Sequence, residues 1–109
     1  RVIAGEIFDV VVDLRRNSKT FAHWVGETLS AENRKQLWVP AGFAHGFYVL
    51  SEFAEIVYKC TEYYYPEDDR SLFWNDPELA IQWPLLDQQP LLSEKDRTAG
   101  PLGQAALYP

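Results

Sequence analysis

One histidine, His45, lies in a turn-forming segment, Pro40–Phe47, with the sequence PAGFAHGF. The proline and the two glycines favour a tight turn between two apolar runs. Aromatic residues flank the imidazole, which is the residue best suited to move a proton near neutral pH. Two interpretations stay open for His45. It either caps the turn by hydrogen-bonding the backbone, or it lines the mouth of a cavity and contacts a ligand.

Asp9 is the acidic residue most suited to a functional role. Strand alternation predicts that it shares a face with Ile7 and Val11, where a carboxylate is costly unless it is paired. Asp13 lies on the same face, but it has an alternative partner in Arg15 near the following loop.

Tyr58 is a candidate general acid. We predict a strand that carries Tyr58 on one face with Ile56 and Cys60. A buried tyrosine in such a strand is either a packed ring with a satisfied hydroxyl or a phenol that returns a proton to a carbanion-like carbon.

A short helix is predicted near the C-terminus. Ser93 to Asp96 has the S-x-x-D form of a helix N-cap. Lys95 and Asp96 are by themselves expected to be solvated charges at the start of this helix.

Composition limits the function classes. The chain has 109 residues, which predicts one domain over 1–109, and a net charge of −6 with no basic cluster. We therefore expect neither nucleic-acid binding nor a membrane-surface role. Cys60 is the only cysteine, and no long apolar run or signal-peptide pattern occurs, so we expect a cytoplasmic location.

The pattern of turns and apolar runs predicts an all-β sandwich or barrel. Four tryptophans, six tyrosines and six phenylalanines suit a β-rich fold with a stacking ligand cavity. The expected strands cover 1–14 (with a turn or bulge at Gly5), 23–29, 36–39, 47–50 and 54–61, and shorter ones cover 72–74 and 80–81.

Pro40–His45 resembles the second motif of cupin barrels, whose metal sites need further histidines. The only other histidine here is His23, and no His-x-His pair occurs, so we expect no metal site.

Collinear motifs over residues 1 to about 97 closely resemble the dTDP-4-dehydrorhamnose 3,5-epimerase family. They are Gly5–Arg15 (GEIFDVVVDLR), Leu29–Asn33 (LSAEN), Pro40–Phe47, Leu50–Ser51, Tyr58–Thr61 (YKCT), Tyr64, Trp74–Pro77 (WNDP), Ile81–Pro84 (IQWP) and Leu92–Asp96 (LSEKD).

The resemblance implies an all-β, cupin-like jelly roll with a short C-terminal helix, a homodimer, and chemistry without metal or cofactor. Family members invert C3 and C5 of a dTDP-linked 4-keto-6-deoxyhexose through an enolate, on the route to dTDP-L-rhamnose and surface polysaccharide. Residues 1–109 would be the C-terminal part of the family's single domain, about 60% of an enzyme of usual one-domain size.

The resemblance also implies roles for particular residues. Tyr58 matches the family's acid, and Asp96 matches the aspartate that orients the basic histidine. The substrate contacts it implies are His45, Lys95, Asp69, Asp9 and Tyr64.

The family's basic histidine lies in an Arg-Gly-Leu-His-x-Gln segment that falls upstream of Arg1, and His23, which is expected in a hairpin strand, is not assumed to replace it. We therefore expect the 109 residues alone to be inactive. Two alternatives stay open: a non-catalytic sugar-nucleotide-binding module, and a related dTDP-sugar 3-epimerase or keto-isomerase.

Overall fold

The fold was analysed in a computed structural model, which describes residues 1–60, 71–85 and 90–104. The described part contains five strands and two short helices. The strands are β1 (Val2–Ala4), β2 (Glu6–Asp13), β3 (Trp24–Ser30), β4 (Phe43–Val49) and β5 (Glu55–Ile56); α1 covers Glu94–Arg97 and a 3-10 helix covers Leu102–Gln104. The all-β class and the short C-terminal helix predicted from the sequence are confirmed.

β2 is the central strand of a three-stranded antiparallel sheet with the order β3-β2-β4, while β1 and β5 form a separate antiparallel pair. Hydrophobic residues on both sides of β2 explain its place, since a strand that is covered on both faces needs apolar residues at successive positions. The register pairs Val11 with Val25 of β3 and with His45 of β4.

Each face of the sheet has its own apolar cluster. On the side we call the Phe8 face, the cluster is built around Val10, Val12, Leu14, Leu79 and Leu102, with Phe8 and Trp83 packed against it. On the opposite side, the Asp9 face, the cluster is built around Val2, Ile7 and Leu29, with Val49 and Ile56 packed against it. The β1–β5 pair therefore covers one end of the Asp9 face.

The predicted boundaries differ from the observed ones around the turn. No strand forms over 36–39, and β4 begins at Phe43 instead of residue 47. The turn is consequently shorter than predicted and ends at Gly42, whose φ of 91° lies in the left-handed region that glycine tolerates. Pairing with β2 extends β4 through the histidine, a tertiary effect that the local turn signals do not contain.

The strands predicted later in the chain are also shorter in the structure. β5 ends at Ile56, the last residue that pairs with β1 as a strand. Beyond it, Arg1 and Val57 still exchange two backbone hydrogen bonds. Residue 61 of the predicted strand lies outside the described residues. Over 72–74 only an isolated bridge from Leu72 to Gly100 forms, and 80–81 is not a strand.

Asp13 ties the loop between β2 and β3 to the sheet. Arg15 donates from Nε and Nη2 to the two carboxylate oxygens at 3.0 Å each, and Thr20 donates its hydroxyl to Oδ2 at 2.5 Å. The predicted Asp13–Arg15 pair is thereby confirmed. The Arg15 guanidinium holds the pKa of the Asp13 carboxyl well below its ordinary value of 3.8, although burial acts in the opposite direction.

Buried Asp76 joins two segments of the C-terminal third. Its carboxylate accepts hydrogen bonds from the backbone amides of Glu78 at 2.8 Å and Leu102 at 2.5 Å. The turn that starts at Asp76 and the 3-10 helix are thereby held together against the Phe8 face. Within the described ranges, no helix has the length and apolar character needed to cross a membrane.

Gly5→Ala should destabilise the fold, because Gly5 has a φ of 83° and a Cβ there would lie 2.2 Å from the Phe53 carbonyl oxygen. We expect the free energy of unfolding to fall by about 1–3 kcal/mol in urea titrations. Gly103→Ala is the matched control, since its Cβ would meet nothing within 4 Å. Equal losses for the two variants would contradict the assignment of Gly5 as the constrained junction between β1 and β2.

Asp13→Asn should lower stability at neutral pH, and the difference from the parent should shrink in acid. Because folding lowers the pKa of Asp13, its stabilisation is complete above the ordinary value of 3.8 and is lost as the pH falls below it. Urea unfolding at a series of pH values between 7 and 2.5 measures this.

The control for this series is Glu27→Gln, which removes an exposed ion pair with Lys35. We expect a loss of at most about 1 kcal/mol from such a pair. An Asp13→Asn chain as stable as the parent at pH 7 would refute the anchoring role.

Candidate active site

Adjacent strands bring Asp9 and His45 together on the Asp9 face. Asp9 pairs in register with Phe47, and His45 pairs with Val11, so the two side chains are diagonal neighbours across β2 and β4. The His45 Nε2 and Asp9 Oδ1 atoms are 2.6 Å apart. Because an ionised carboxylate only accepts, the imidazole N–H is the donor.

The pair combines a buried acid with an accessible ring. The Asp9 side chain is 6% exposed, and that of His45 is 40% exposed. The hydrogen bond satisfies the carboxylate, and no buried polar side-chain atom within the described ranges lacks a partner. The sequence-based condition that Asp9 needs a partner is therefore met, and the partner is the histidine of the turn motif.

Beyond the pair, the Asp9 face is open and apolar. Val25 of β3, which lies opposite Val11, is 59% exposed, and Phe47 of β4, which lies opposite Asp9, is 50% exposed. An imidazole and a carboxylate beside an uncovered apolar surface suit a small polar ligand with an apolar ring face.

A second feature is a cavity of about 390 Å³ beside β4. Every residue from Phe43 to Tyr48 lines it. Val10, Val12 and Leu79 of the Phe8 face also line it, so the cavity lies over that face and reaches the outer edge of β4, where residues of both orientations line it. No other described strand pairs with that edge.

The cavity walls are aromatic on one side and charged on another. Trp74 and Trp83 are in a T-shaped arrangement with centroids 6.4 Å apart, and Trp83 Nε1 donates to the Trp74 carbonyl oxygen at 2.8 Å. Lys95 and Asp96 of α1 line the same cavity. The Ser93 hydroxyl accepts from the Asp96 amide at 3.1 Å, as the predicted N-cap requires, and this fixes the start of α1.

The structure brings together some of the predicted site residues. His45, Lys95 and Asp96 line one cavity, and Asp9 joins them through His45. Asp69 and Tyr64 lie outside the described residues.

Tyr58 is placed differently from the prediction. It is 78% exposed and is not among the residues that line the cavity. The prediction of a buried mid-strand tyrosine is wrong, because β5 ends at Ile56 and no described element covers the residues that follow. Cys60 is exposed as well.

Sequence reasoning treated Asp9 and His45 separately and missed their hydrogen bond. The available signal was a costly inward carboxylate in need of a partner. The identity of that partner depends on the register between β2 and β4, which the local sequence does not specify. No cluster of three or more His, Cys, Asp or Glu side chains that suits a metal ion occurs in 1–60, 71–85 and 90–104.

Comparison with known proteins identifies the family. The sequence profile described as dTDP-4-dehydrorhamnose 3,5-epimerase matches residues 1–104. The chain belongs to this epimerase family. A dTDP-4-dehydrorhamnose 3,5-epimerase of Pseudomonas aeruginosa is 61% identical over 109 residues, a match that covers 100% of this chain and 60% of the relative. The chain thus spans less than two thirds of the length of this epimerase.

Solved structures of epimerases share the fold. The dTDP-6-deoxy-D-glucose-3,5-epimerase of Legionella pneumophila, in complex with dTDP-4-keto-L-rhamnose, has a TM-score of 0.94 and 54% identity, covering 98% of this chain and 58% of its own. A 3'-monoepimerase of Streptomyces bikiniensis, in complex with dTDP-quinovose, has a TM-score of 0.87 and 37% identity, covering 94% of this chain and 51% of its own. The chain therefore has the fold of the matching part of a cupin-like jelly roll.

Proposed function

We propose that the protein to which this chain belongs epimerises C3 and C5 of a dTDP-linked 4-keto-6-deoxyhexose. The observation that carries this proposal is the superposition with the Legionella epimerase that binds dTDP-4-keto-L-rhamnose, over 98% of this chain. The product would be dTDP-4-dehydro-L-rhamnose, which serves dTDP-L-rhamnose and surface polysaccharide synthesis.

The chemistry requires acid and base groups on opposite faces of the sugar. The C4 ketone acidifies the protons on C3 and C5, so a base removes one proton and the electron pair passes into an enolate. An acid then returns a proton to the opposite face of the same carbon. An accessible imidazole paired with a buried carboxylate beside an open apolar surface, as formed by His45 and Asp9, suits a ring that develops negative charge on one oxygen.

Tyr58 is the proton donor in this proposal. Arg1 and Val57 exchange backbone hydrogen bonds of 2.9 Å in both directions, so backbone pairing with the first segment of the chain reaches one residue past the end of β5. Ile56 packs into the cluster on the Asp9 face, and alternation then assigns Tyr58 to the same side. Its exposure leaves the hydroxyl accessible to a ligand over that face.

The other site residues keep the roles predicted for them. Asp96 orients the basic histidine, which is neither His23 nor His45, and Lys95 contacts the substrate from the cavity wall. His45 and Asp9 contact the sugar from the Asp9 face. Asp69 and Tyr64 are further predicted contacts, outside the described residues. No metal or cofactor takes part in the proposed reaction.

Two alternatives have specific support. Epimerisation at C3 alone is favoured by the likeness to the Streptomyces 3'-monoepimerase. A non-catalytic sugar-nucleotide-binding module is favoured by the position of Tyr58, which is exposed and does not line the cavity. The presence of Tyr58, Lys95 and Asp96 together in the sequence supports the epimerase.

We also propose a homodimer in the cytoplasm. Val25, Trp38 and Phe47 are large, exposed apolar side chains, which a partner subunit or a bound ligand would shield from water. The single cysteine, Cys60, is consistent with a reducing compartment. Sedimentation equilibrium of the whole protein should give twice the monomer mass, and a monomer at micromolar concentration would contradict the dimer.

Tyr58→Phe in the whole protein should remove turnover while leaving the fold intact. General acid catalysis contributes about 100- to 10,000-fold, so we expect kcat to fall within that range, with an unchanged circular dichroism spectrum. Phe53→Leu, at a 69% exposed aromatic residue to which we assign no role, is the control and should retain the parental kcat. A near-normal rate for Tyr58→Phe would show that another group donates the proton.

Solvent deuterium incorporation distinguishes the three functions. When the whole protein is incubated in deuterium oxide with dTDP-4-keto-6-deoxyglucose, NMR should show deuterium at both C3 and C5. Incorporation at C3 alone would support the 3-epimerase, and none at either carbon would support the binding module. The 109-residue chain alone should incorporate none, and exchange by this chain would show that one of its own groups serves as the base.

A further inference from the structure

The contact between Asp9 and His45 has a defined direction. We propose that Asp9 is a positioning residue that holds a proton on His45 Nε2, and so leaves Nδ1 as the ring nitrogen that faces the sugar. This inference rests on the proposed epimerase function, since it assigns the polar group that meets the substrate ketone.

The first argument is the rigidity of Asp9. It is 4% exposed and lies on β2, the strand that is paired on both sides. Ladders with β3 and β4 fix the Asp9 backbone on both edges. A buried carboxylate on such a strand has little freedom to move, so it is a fixed hydrogen-bond acceptor.

The second argument is the freedom of His45 without Asp9. β4 is an edge strand within the described part of the sheet, so no further described strand lies beside the histidine. The His45 side chain is 40% exposed. The 2.6 Å contact with Asp9 is the only side-chain hydrogen bond of His45 to a described residue, so this contact sets the rotation of the ring.

The third argument is chemical. With Nε2–H directed at the carboxylate, a neutral ring has its lone pair on Nδ1, and a protonated ring carries its second N–H there. Removal of a proton next to the C4 ketone moves negative charge onto the carbonyl oxygen. A protonated ring whose Nε2–H is held by Asp9 presents its Nδ1–H to that oxygen and stabilises the enolate, whereas a neutral ring presents a lone pair there.

Histidine tautomers can be read directly in this chain, because its only two histidines are His23 and His45. Long-range ¹H–¹⁵N correlation of the ¹⁵N-labelled 109-residue chain, at a pH of about 8.5 where an ordinary imidazole is neutral, reports which nitrogen carries the proton. We expect the Nε2–H tautomer for His45. A proton on Nδ1 of His45 in the parent chain would overturn the proposal.

Asp9→Asn keeps the size of the side chain but no longer dictates the donor, since an amide offers both a donor and an acceptor. We expect the His45 signals to move to the Nδ1–H form or to a mixture, while those of His23 stay in place as the internal control. Unchanged His45 signals in a folded Asp9→Asn chain would overturn the proposal. If Asp9→Asn does not fold, Asp9→Glu, which keeps the acceptor, should fold and retain the Nε2–H form; a change of tautomer in that variant would also count against it.

Kinetics of the whole protein separate positioning from a structural role. Asp9→Asn should lower kcat by about 10- to 100-fold, consistent with a coupled pair, and change KM less than about threefold. In a His45→Gln background the same change should have little further effect, because Asp9 would act through His45. Equal effects of Asp9→Asn in both backgrounds would refute action through the histidine. The tautomer measurement needs no activity, so a failed epimerase assay and a failed positioning role give different results.

Discussion

Pairing of β2 with two neighbours is the constraint on which the rest of the structure depends. Its apolar residues point to both faces, so burial of the strand requires β3 and β4 on its edges and covering elements on both sides. This arrangement also buries Asp9 and Asp13 on the same face. Each buried carboxylate then requires a partner, since an unpaired charge in such surroundings would destabilise the fold.

The carboxylates of Asp13 and Asp9 have different kinds of partner. Asp13 is held by Arg15 and Thr20 from the neighbouring loop, within seven residues of the chain. Asp9 is held by His45, which lies 36 residues away and comes from another strand. The local contact stabilises the hairpin, whereas the distant contact places an accessible imidazole beside an open apolar surface. β2 therefore carries Asp13, which anchors a loop, and Asp9, which holds the imidazole of the candidate site.

The described part of the chain holds the candidate site on two sides of β4. The Asp9–His45 pair lies on one face, while α1 presents Lys95 and Asp96 to the cavity at the outer edge of the strand. His45 belongs to both parts of the site, because its ring contacts Asp9 and the residue also lines the cavity. The proposed epimerisation would give this arrangement a chemical meaning, because proton transfer next to a ketone needs groups that approach a sugar ring from more than one direction.

Local sequence determined much of the secondary structure and one of the two carboxylate pairs. Turn residues, alternation and the S-x-x-D cap predicted the strands around residues 1–14 and 23–29, the junction at Gly5 and the start of α1 at Ser93, because these features depend on contacts between near neighbours. The Asp13–Arg15 pair followed for the same reason, since its partners are two residues apart. The family motifs were also recognisable in sequence order alone.

Only the tertiary structure decided which strands pair and in what register. That register extended β4 back to Phe43 and joined His45 to Asp9. It also ended β5 at Ile56, so that Tyr58 is exposed instead of buried. The physical reason is that strand length and side-chain partners depend on hydrogen bonds between segments distant in the chain, and no local residue pattern specifies those partners.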